Sequence, residues 1–433
     1  MAANPDSITQ LNNVITLPLS DVVYREDLYP RIKSDSATIQ RYAQNIDVLP
    51  PIEINQHGIL IDGFHRWTAH RKAEAATIRA FVTETASEVE LYALAIQRNS
   101  AHGLQMNEQD KQSSAIRLYA AGTGLDKQQI AAALSVSQRT ITGYLSDVDK
   151  QLREERKQRI FDMWLAGDTL DDIATATGVT KETISSQVSQ ISETLPNSDK
   201  VASQFQDEDF TPPLFNVWTF AKKTNEVSHY GNSEQRIVEN LLYLYTEPFD
   251  IVLDPFAGGG STIDVCRKRL RRYWVSDRKP IVEREAEIRL LDIAQELPPL
   301  NKRWSDVTLT YLDPPYWKQA EGEYSTDAED LANMPLEQFT AALIGVVNRI
   351  AEKQSRGVIA LLIQPTQWRA DAREFTDHVM HLVSGVKAKR LTLENRISCP
   401  YSTQQANAQQ VKWAKENRKL LVISRELIVW RLS

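Results

Sequence analysis

Cysteine is nearly missing from this 433-residue chain: Cys266 and Cys399 are the only two, too few for a disulfide framework or a cysteine-built metal centre. No apolar run approaches the ~20 residues that a membrane-crossing helix needs. The first residues, MAANPDSITQ, lack the basic flank and apolar stretch of a secretion signal. A cytoplasmic protein with no membrane partner is therefore expected. A positive surplus is also lacking, since 50 Lys and Arg face 57 Asp and Glu for a net charge of -7. That balance excludes indiscriminate coating of nucleic acid, which needs a dominant basic surface. Contact with a polyanion must then come from local patches, such as Arg267, Lys268, Arg269, Arg271 and Arg272. The run from Lys150 through Arg159 is interleaved with acids and reads instead as a solvated helix face.

What is present is enough chain for two or three domains, each with its own core. Residues 14–103 alternate short apolar runs with turn signals and read as a small α/β domain. Within them, PPIEINQHGILIDGFHRWTAHRKA predicts a strand from Ile52 to Asn55, a turn at His57–Gly58, and a second strand from Ile59 to Asp62. Gly63 then opens a helix that carries His65 and Arg66 at its start. A glycine followed by free amides and two bases is a candidate anion site. This segment, with LYPRIKSDSATIQRYAQNI before it and QRNSAHGL after it, resembles the ParB/sulfiredoxin-like domain. The resemblance implies a nucleoside triphosphate as a partner at Gly63, His65 and Arg66. The family's box has a glutamate directly after its glycine; Phe64 stands there in this chain, which argues against nucleotide hydrolysis.

Residues 104–195 are polar and helical in their apolar spacing. Two stretches repeat one pattern. DKQQIAAALSVSQRTITGYLSDV places Ile130, Ala131, Leu134, Val136, Ile141 and Leu145 at helix-turn-helix spacing, and TLDDIATATGVTKETISSQVSQI does so with Ile173, Ala174, Gly178, Val179, Ile184 and Val188. Ser137 and Thr180 are the hydroxyl N-caps of the two second helices. Such a helix enters the major groove of duplex DNA by its exposed first residues. Gln138, Arg139, Thr140 and Tyr144 are the candidates in the first unit, and Lys181, Glu182, Thr183 and Ser186 in the second. Residues 196–212, polar and acidic with prolines near both ends, read as a linker.

From residue 213 to 433, apolar strands alternate with helices, the signature of a doubly wound parallel sheet. FDIVLDPFAGGGSTIDVCRKR predicts a buried strand at Ile251–Leu253, a tight turn at Gly258–Gly260, and a helix opened by Ser261 and Thr262. The turn has no side chains to keep a ligand off the backbone. It has neither dehydrogenase glycine spacing nor a Gly-Lys-Ser/Thr ending. The next strand leads to Asp277, placed to accept hydrogen bonds from ribose hydroxyls, and Asp292 follows near a third strand end, within reach of a nucleoside's amino group. Then SDVTLTYLDPPYW ends a strand in Asp313, Pro314, Pro315 and Tyr316. Two prolines fix an extended backbone and remove two donors. An amino nitrogen conjugated to a base ring is a weak nucleophile. Asp313 and the Pro314 carbonyl could hold its two hydrogens while Tyr316 stacks on a base turned out of the helix.

DPFAGGGST followed by LDPPYW resembles the amino-methyltransferases of DNA, over about the last half of the chain. The resemblance implies a Rossmann-like domain that uses S-adenosyl-L-methionine, with double-stranded DNA as its substrate. Its cofactor residues would be Asp254, Phe256, Gly258, Gly260, Ser261, Thr262, Asp277 and Asp292, with Asn232 and Ser233 ahead of the loop. Its catalytic residues would be Asp313 through Tyr316. The DPPY form favours adenine N6 over cytosine N4. Methylation at cytosine carbon 5 needs a cysteine nucleophile in a Pro-Cys step, whereas this chain has Cys399–Pro400 in the reverse order. Cys266 is expected in the core. Only Lys318–Asn333 and Arg396–Gln410 are long enough to serve as recognition loops, so base reading falls partly on the helix-turn-helix units. A homodimer would suit a palindromic site. The competing readings are a ParB-like regulator whose second half senses the cofactor, and methylation of RNA or a protein amide.

Overall fold

The computed structural model describes residues 14–28, 35–101, 107–120, 124–193, 204–208, 210–220, 234–319, 322, 327–368, 374–401 and 406–433. The chain divides into two compact units, Met1–Arg156 and Lys157–Ser433. This partition is coarser than the four segments drawn from the sequence, and it assigns the two repeated helix pairs to different units.

In the first unit the order is β1 (Val14–Pro18), α1 (Ser36–Ala43), β2 (Ile52–Ile54), β3 (Leu60–Asp62), α2 (Phe64–Lys72), β4 (Thr77–Val82), α3 (Glu88–Ala101), α4 (Glu108–Ala120), α5 (Lys127–Ala133) and α6 (Gln138–Tyr144). Its sheet runs β1-β4-β2-β3, with the expected hairpin feeding α2 through Gly63. That glycine has φ +101°, and a Cβ there would sit 2.7 Å from Ile52 Cγ2, so both conformation and space demand glycine. In the pair α5 and α6, Ile130, Leu134, Ile141 and Leu145 are fully buried. Ser137 caps α6 by accepting from Thr140 N at 3.0 Å. The spacing read from the sequence is thus the packing found.

Helix α7 (Ser146–Leu165) contains the division between the units. After it the second unit runs α8 (Leu170–Thr177), α9 (Lys181–Glu193), α10 (Gln235–Tyr245), β5 (Ile251–Asp254), α11 (Ser261–Lys268), β6 (Arg272–Asp277), β7 (Arg289–Leu290), β8 (Val307–Leu312), α12 (Leu336–Lys353), β9 (Val358–Ile363), β10 (Thr366–Trp368), β11 (Glu374–Thr376), α13 (Val379–Gly385), β12 (Leu391–Pro400), α14 (Ala408–Asn417) and β13 (Ser424–Leu432). Seven of these strands form one sheet in the order β12-β13-β9-β8-β5-β6-β7. β5 to β9 are parallel, and β13 lies antiparallel beside β9. Strands β5, β8 and β9 are buried at every residue, because α10 and α11 cover one face and α12 the other. Such strands need apolar residues throughout rather than in alternation, and each fully buried aliphatic side chain adds ~1.5–3 kcal/mol of transfer free energy. From β5 the chain moves outward to β6 and β7, then returns to β8 on the other side. The carboxyl ends of β5 and β8 therefore flank the topological switch point, where open α/β sheets bind ligands.

The pair α8 and α9 is buried around Ile173, Ile184 and Val188 and is built onto the amino edge of this sheet. Leu165 enters the sheet's core, and Trp164 packs 5.1 Å from Phe249. Gly167, at φ +75°, lies so close to the chain that a Cβ would be 2.6 Å from the Tyr273 carbonyl oxygen. Part of the expected linker is anchored as well: Phe205 and Phe210 are buried, and Asp207 pairs with Arg269 at 2.6 Å.

Candidate active site

The site begins with the turn from β5 to α11. Gly260 is left-handed at φ +78°, and a Cβ on it would come within 2.9 Å of Arg284 Cδ; Gly258 also has positive φ, +48°. Asp254 closes the turn from beneath. Its carboxylate accepts from Phe256 N at 3.0 Å and from Thr262 Oγ1 at 2.5 Å, and it is 2% exposed. Burial, reinforced by Asp313 and Asp277 nearby, pushes its carboxyl up to about 7. Ser261 is the first residue of α11, and Phe256 packs against the core cluster on the α12 face.

Asp277, at the end of β6, is held by two backbone amides: Gly258 N donates to Oδ2 at 3.0 Å and Lys279 N to Oδ1 at 2.9 Å. Asp292, just past β7, accepts from Ala294 N at 2.9 Å and lies 3.7 Å from Arg278 Nε. An acid at the end of β6, an acid after β7 and a turn without side chains are the acceptors and backbone groups that a nucleoside cofactor would need. Asn232 and Ser233 lie outside the described residues.

Asp313 follows β8, the strand beside β5. It accepts from Tyr311 Oη at 3.3 Å and from Tyr316 Oη at 3.1 Å. Pro314 is buried and Pro315 half-buried. Trp317 Nε1 donates to the Met334 carbonyl at 2.9 Å, and Thr366 Oγ1 to the Trp317 carbonyl at 2.7 Å, so the segment after the prolines is tied down at two points. The sequence reading missed the wall opposite. Arg425, on β13, is 4% exposed, with its guanidinium 4.5 Å from the Tyr401 ring centroid. It interacts electrostatically with Asp313, Tyr311, Tyr316 and Tyr401, and these raise its affinity for the proton. Tyr401 Oη donates to Gln364 Oε1 at 2.6 Å, and Gln364 Nε2 to Gln319 Oε1 at 2.9 Å.

The basic run Arg267–Arg272 does not form the surface patch expected of it. Arg269 is fully buried between Asp207 and Glu239, 2.6 Å from each. Lys268 joins the same two acids. Arg271 donates to the Thr246 carbonyl at 2.8 Å, Arg272 to that of Trp164 at 3.3 Å, and Arg267 pairs with Glu287 at 2.6 Å. Arg269 and Arg271 are thus interior, where a cation needs a partner, while Arg267 and Lys268 are exposed but already paired with acids. Cys266 is buried in the core as expected.

The candidate groove readers are placed variously. Gln138 and Arg139 are exposed, Thr140 Oγ1 lies 2.8 Å from Ser137 Oγ, and Tyr144 Oη donates to Glu108. Lys181, Glu182, Thr183 and Ser186 are exposed on α9; Lys181 pairs with Asp171 and Thr183 Oγ1 lies 3.0 Å from Thr180 Oγ1. In the first unit, Arg66 donates to Asp62 at 2.9 Å and to the Pro51 carbonyl. His65 Nε2 accepts from Asp35 N at 3.1 Å. No group of metal-ligating side chains occurs among the described residues, and no helix among them is long and apolar enough to cross a membrane.

A family model, N6_N4_Mtase, described as DNA methylase, matches residues 107–287. The match supports the resemblance drawn from the motifs over those residues. It takes in both helix pairs, the glycine turn and Asp277, and stops before Asp292 and the Asp313 tetrapeptide. No curated protein matches the sequence. Two solved structures similar to this chain are of the chromosome-partitioning protein ParB from Caulobacter crescentus. The one complexed with CTP-gamma-S is 18% identical, covering 31% of this chain and 77% of that one at a TM-score of 0.19. The one complexed to the centromeric parS site is 14% identical, covering 42% and 100% at 0.24. A Pnob8-like ParB-N domain is 12% identical, covering 42% and 96% at 0.27. TM-scores of this size establish no shared fold.

Proposed function

We propose that this chain transfers a methyl group from S-adenosyl-L-methionine to an exocyclic amino nitrogen of DNA, adenine N6 before cytosine N4. The observation that carries the reading is the meeting, at one switch point, of the Gly258–Gly260 turn on β5 with Asp313 on the adjacent β8. Asp277 and Asp292 would hold the ribose and adenine of the cofactor, and the glycine turn its polar tail. When bound, that cofactor supplies an electrophilic methyl on a sulfonium centre.

The remaining work belongs to side chains of this protein. Asp313 already serves as an acceptor for two hydroxyl donors, so an incoming amino group takes over an acceptor position that is built and oriented. Together with the Pro314 carbonyl it draws the nitrogen lone pair out of conjugation, and the carboxylate is the nearest base for the proton the amine sheds. Preorganised acceptors of this kind cost no reorganisation at the moment of reaction. Tyr316, partly buried beside Asp313, offers an aromatic face for a base outside the stack. No covalent link to the protein forms, and rate enhancement rests on placing donor and acceptor in line. Gln138 and Arg139, at the start of the second helix of a helix-turn-helix unit, supply duplex contacts. For a nucleotide to bind the first unit, Arg66 would have to exchange Asp62 and Pro51 for phosphate, and that site forms no part of the proposal.

The test is incorporation of labelled methyl from S-adenosyl-L-methionine into mixed-sequence duplex DNA and RNA. Incorporation into DNA that is lost in Asp313→Ala supports the enzyme. Cofactor and DNA binding without incorporation makes the chain a regulator instead, and transfer that survives Asp313→Ala places the chemistry elsewhere.

A further inference from the structure

The two helix pairs share a sequence pattern but not a setting. At the end of α7, three arginines from the amino edge of the large sheet converge on the carbonyl groups of residues 164, 166 and 167. Arg272 Nε donates to the Trp164 oxygen at 3.3 Å, Arg289 Nη2 to that of Ala166 at 3.0 Å, and Arg303 to that of Gly167. Arg289 also pairs with Asp168 at 2.7 Å, and the Arg272 guanidinium lies 4.7 Å from the Trp164 ring centroid. Cations at a helix carboxyl end answer both its free carbonyls and its dipole. Arg272 opens β6, Arg289 opens β7, and Arg303 lies just ahead of β8, so the attachment grips three parallel strands by their starts.

The candidate active site lies at the other ends of the same strands. β6 is six residues long, about 20 Å at ~3.3 Å per residue. Charge points the same way. Between Asp168 and Glu193 stand Asp168, Asp171, Asp172, Glu182 and Glu193 against Lys181 alone, and Lys181 is paired with Asp171. From Asp126, the N-cap of α5, to Leu145 there are two bases, Lys127 and Arg139, against Asp126 alone, and Lys127 pairs with Asp149. Duplex binding depends on neutralising phosphates, which the exposed Arg139 of the first pair can begin to do, whereas the second pair sets five acids against one base.

We infer that α8 and α9, with the end of α7, are a pedestal of the catalytic unit and not a DNA reader, and that base reading by helix pairs in this chain falls to Gln138 and Arg139 on α6. The second half of this inference rests on the DNA reading proposed above; the first half does not. Both are tested on the full chain. Binding to a mixed-sequence duplex is measured by fluorescence anisotropy at low and moderate salt. Replacing Lys181, Thr183 and Ser186 together by alanine leaves affinity within about twofold, whereas Gln138→Ala with Arg139→Ala lowers it by ~10-fold or more. A tenfold loss from the α9 substitutions, or none from those on α6, overturns the division of labour. Melting is followed in parallel for Arg289→Gln and Arg303→Gln, chosen because Trp164→Ala removes core packing as well. Each lowers the transition of the catalytic unit; an unchanged transition for both overturns the pedestal. If the unsubstituted chain binds no duplex, the DNA reading fails by itself and the melting result alone decides the pedestal.

Discussion

At the carboxyl ends of β5, β6 and β8 stand three acids, Asp254, Asp277 and Asp313, while at or just before the starts of β6, β7 and β8 stand three arginines, Arg272, Arg289 and Arg303. The acids face a turn of bare backbone amides and a pair of tyrosine hydroxyls. The arginines face the carbonyl end of a helix. In both places charged side chains answer backbone groups or dipoles, yet the first arrangement sets carboxylates beside a glycine turn at the switch point and the second fixes a helix end to the sheet. A chemically active edge and an anchoring edge thus differ in what their charged groups face: a glycine turn without side chains in one, the carbonyl end of a helix in the other.

The largest effect that could break this contrast is at the carboxyl edge. Asp313→Ala lowers methyl transfer by at least ~10²-fold without lowering the melting temperature, in a radiolabel assay paired with calorimetry; loss of the fold in place of the rate would erase the distinction. At the amino edge the signs reverse. Arg289→Ala removes an ion pair and a carbonyl contact worth about 2 kcal/mol together, so the melting temperature falls by ~4–8 °C while transfer per folded molecule stays within twofold. A rate loss with an unchanged melting temperature would move that arginine into the catalytic machinery.

A smaller effect is expected from the wall of the pocket. Arg425→Gln lowers turnover by ~10-fold with cofactor affinity retained, and Arg425→Lys recovers part of it, because what acts is a buried positive charge near the Asp313 acceptor. Equal losses in both variants would show that packing on Tyr401 is the whole contribution. The last is a change of slope. The Asp254 carboxyl is raised from its ordinary 3.8 to about 7 in the fold. The folded state thus binds the proton more tightly than the unfolded one, and stability falls as pH rises from ~4 to ~7. Asp254→Asn flattens the melting profile over that window; an unaltered slope would assign the dependence to other groups.

Much of this was readable from the sequence where the signal is local. The hairpin from Ile52 to Asp62 and its entry into α2 at Gly63, both helix pairs with their Ser137 and Thr180 caps, and the glycine turn of β5 all rest on spacings within about twenty residues. What escaped depends on register. Arg425 reaches the site because β13 pairs with β12, setting it opposite Cys399, and because Tyr401 and Gln364 arrive from other strands. No local pattern announces such a neighbour. The basic run at Arg267–Arg272 misled for the same reason. Its composition suggests an exposed patch, whereas Arg269 and Arg271 are buried, and the acids that hold Arg269, Asp207 and Glu239, are distant in sequence.

The most direct test of the central claim is nucleoside mass spectrometry on DNA from cells that lack adenine methylation of their own and express this chain or its Asp313→Ala variant. N6-methyladenine is expected with the unsubstituted chain and none with the variant. Absence of any methylated amino base, or the same yield from both, would contradict it.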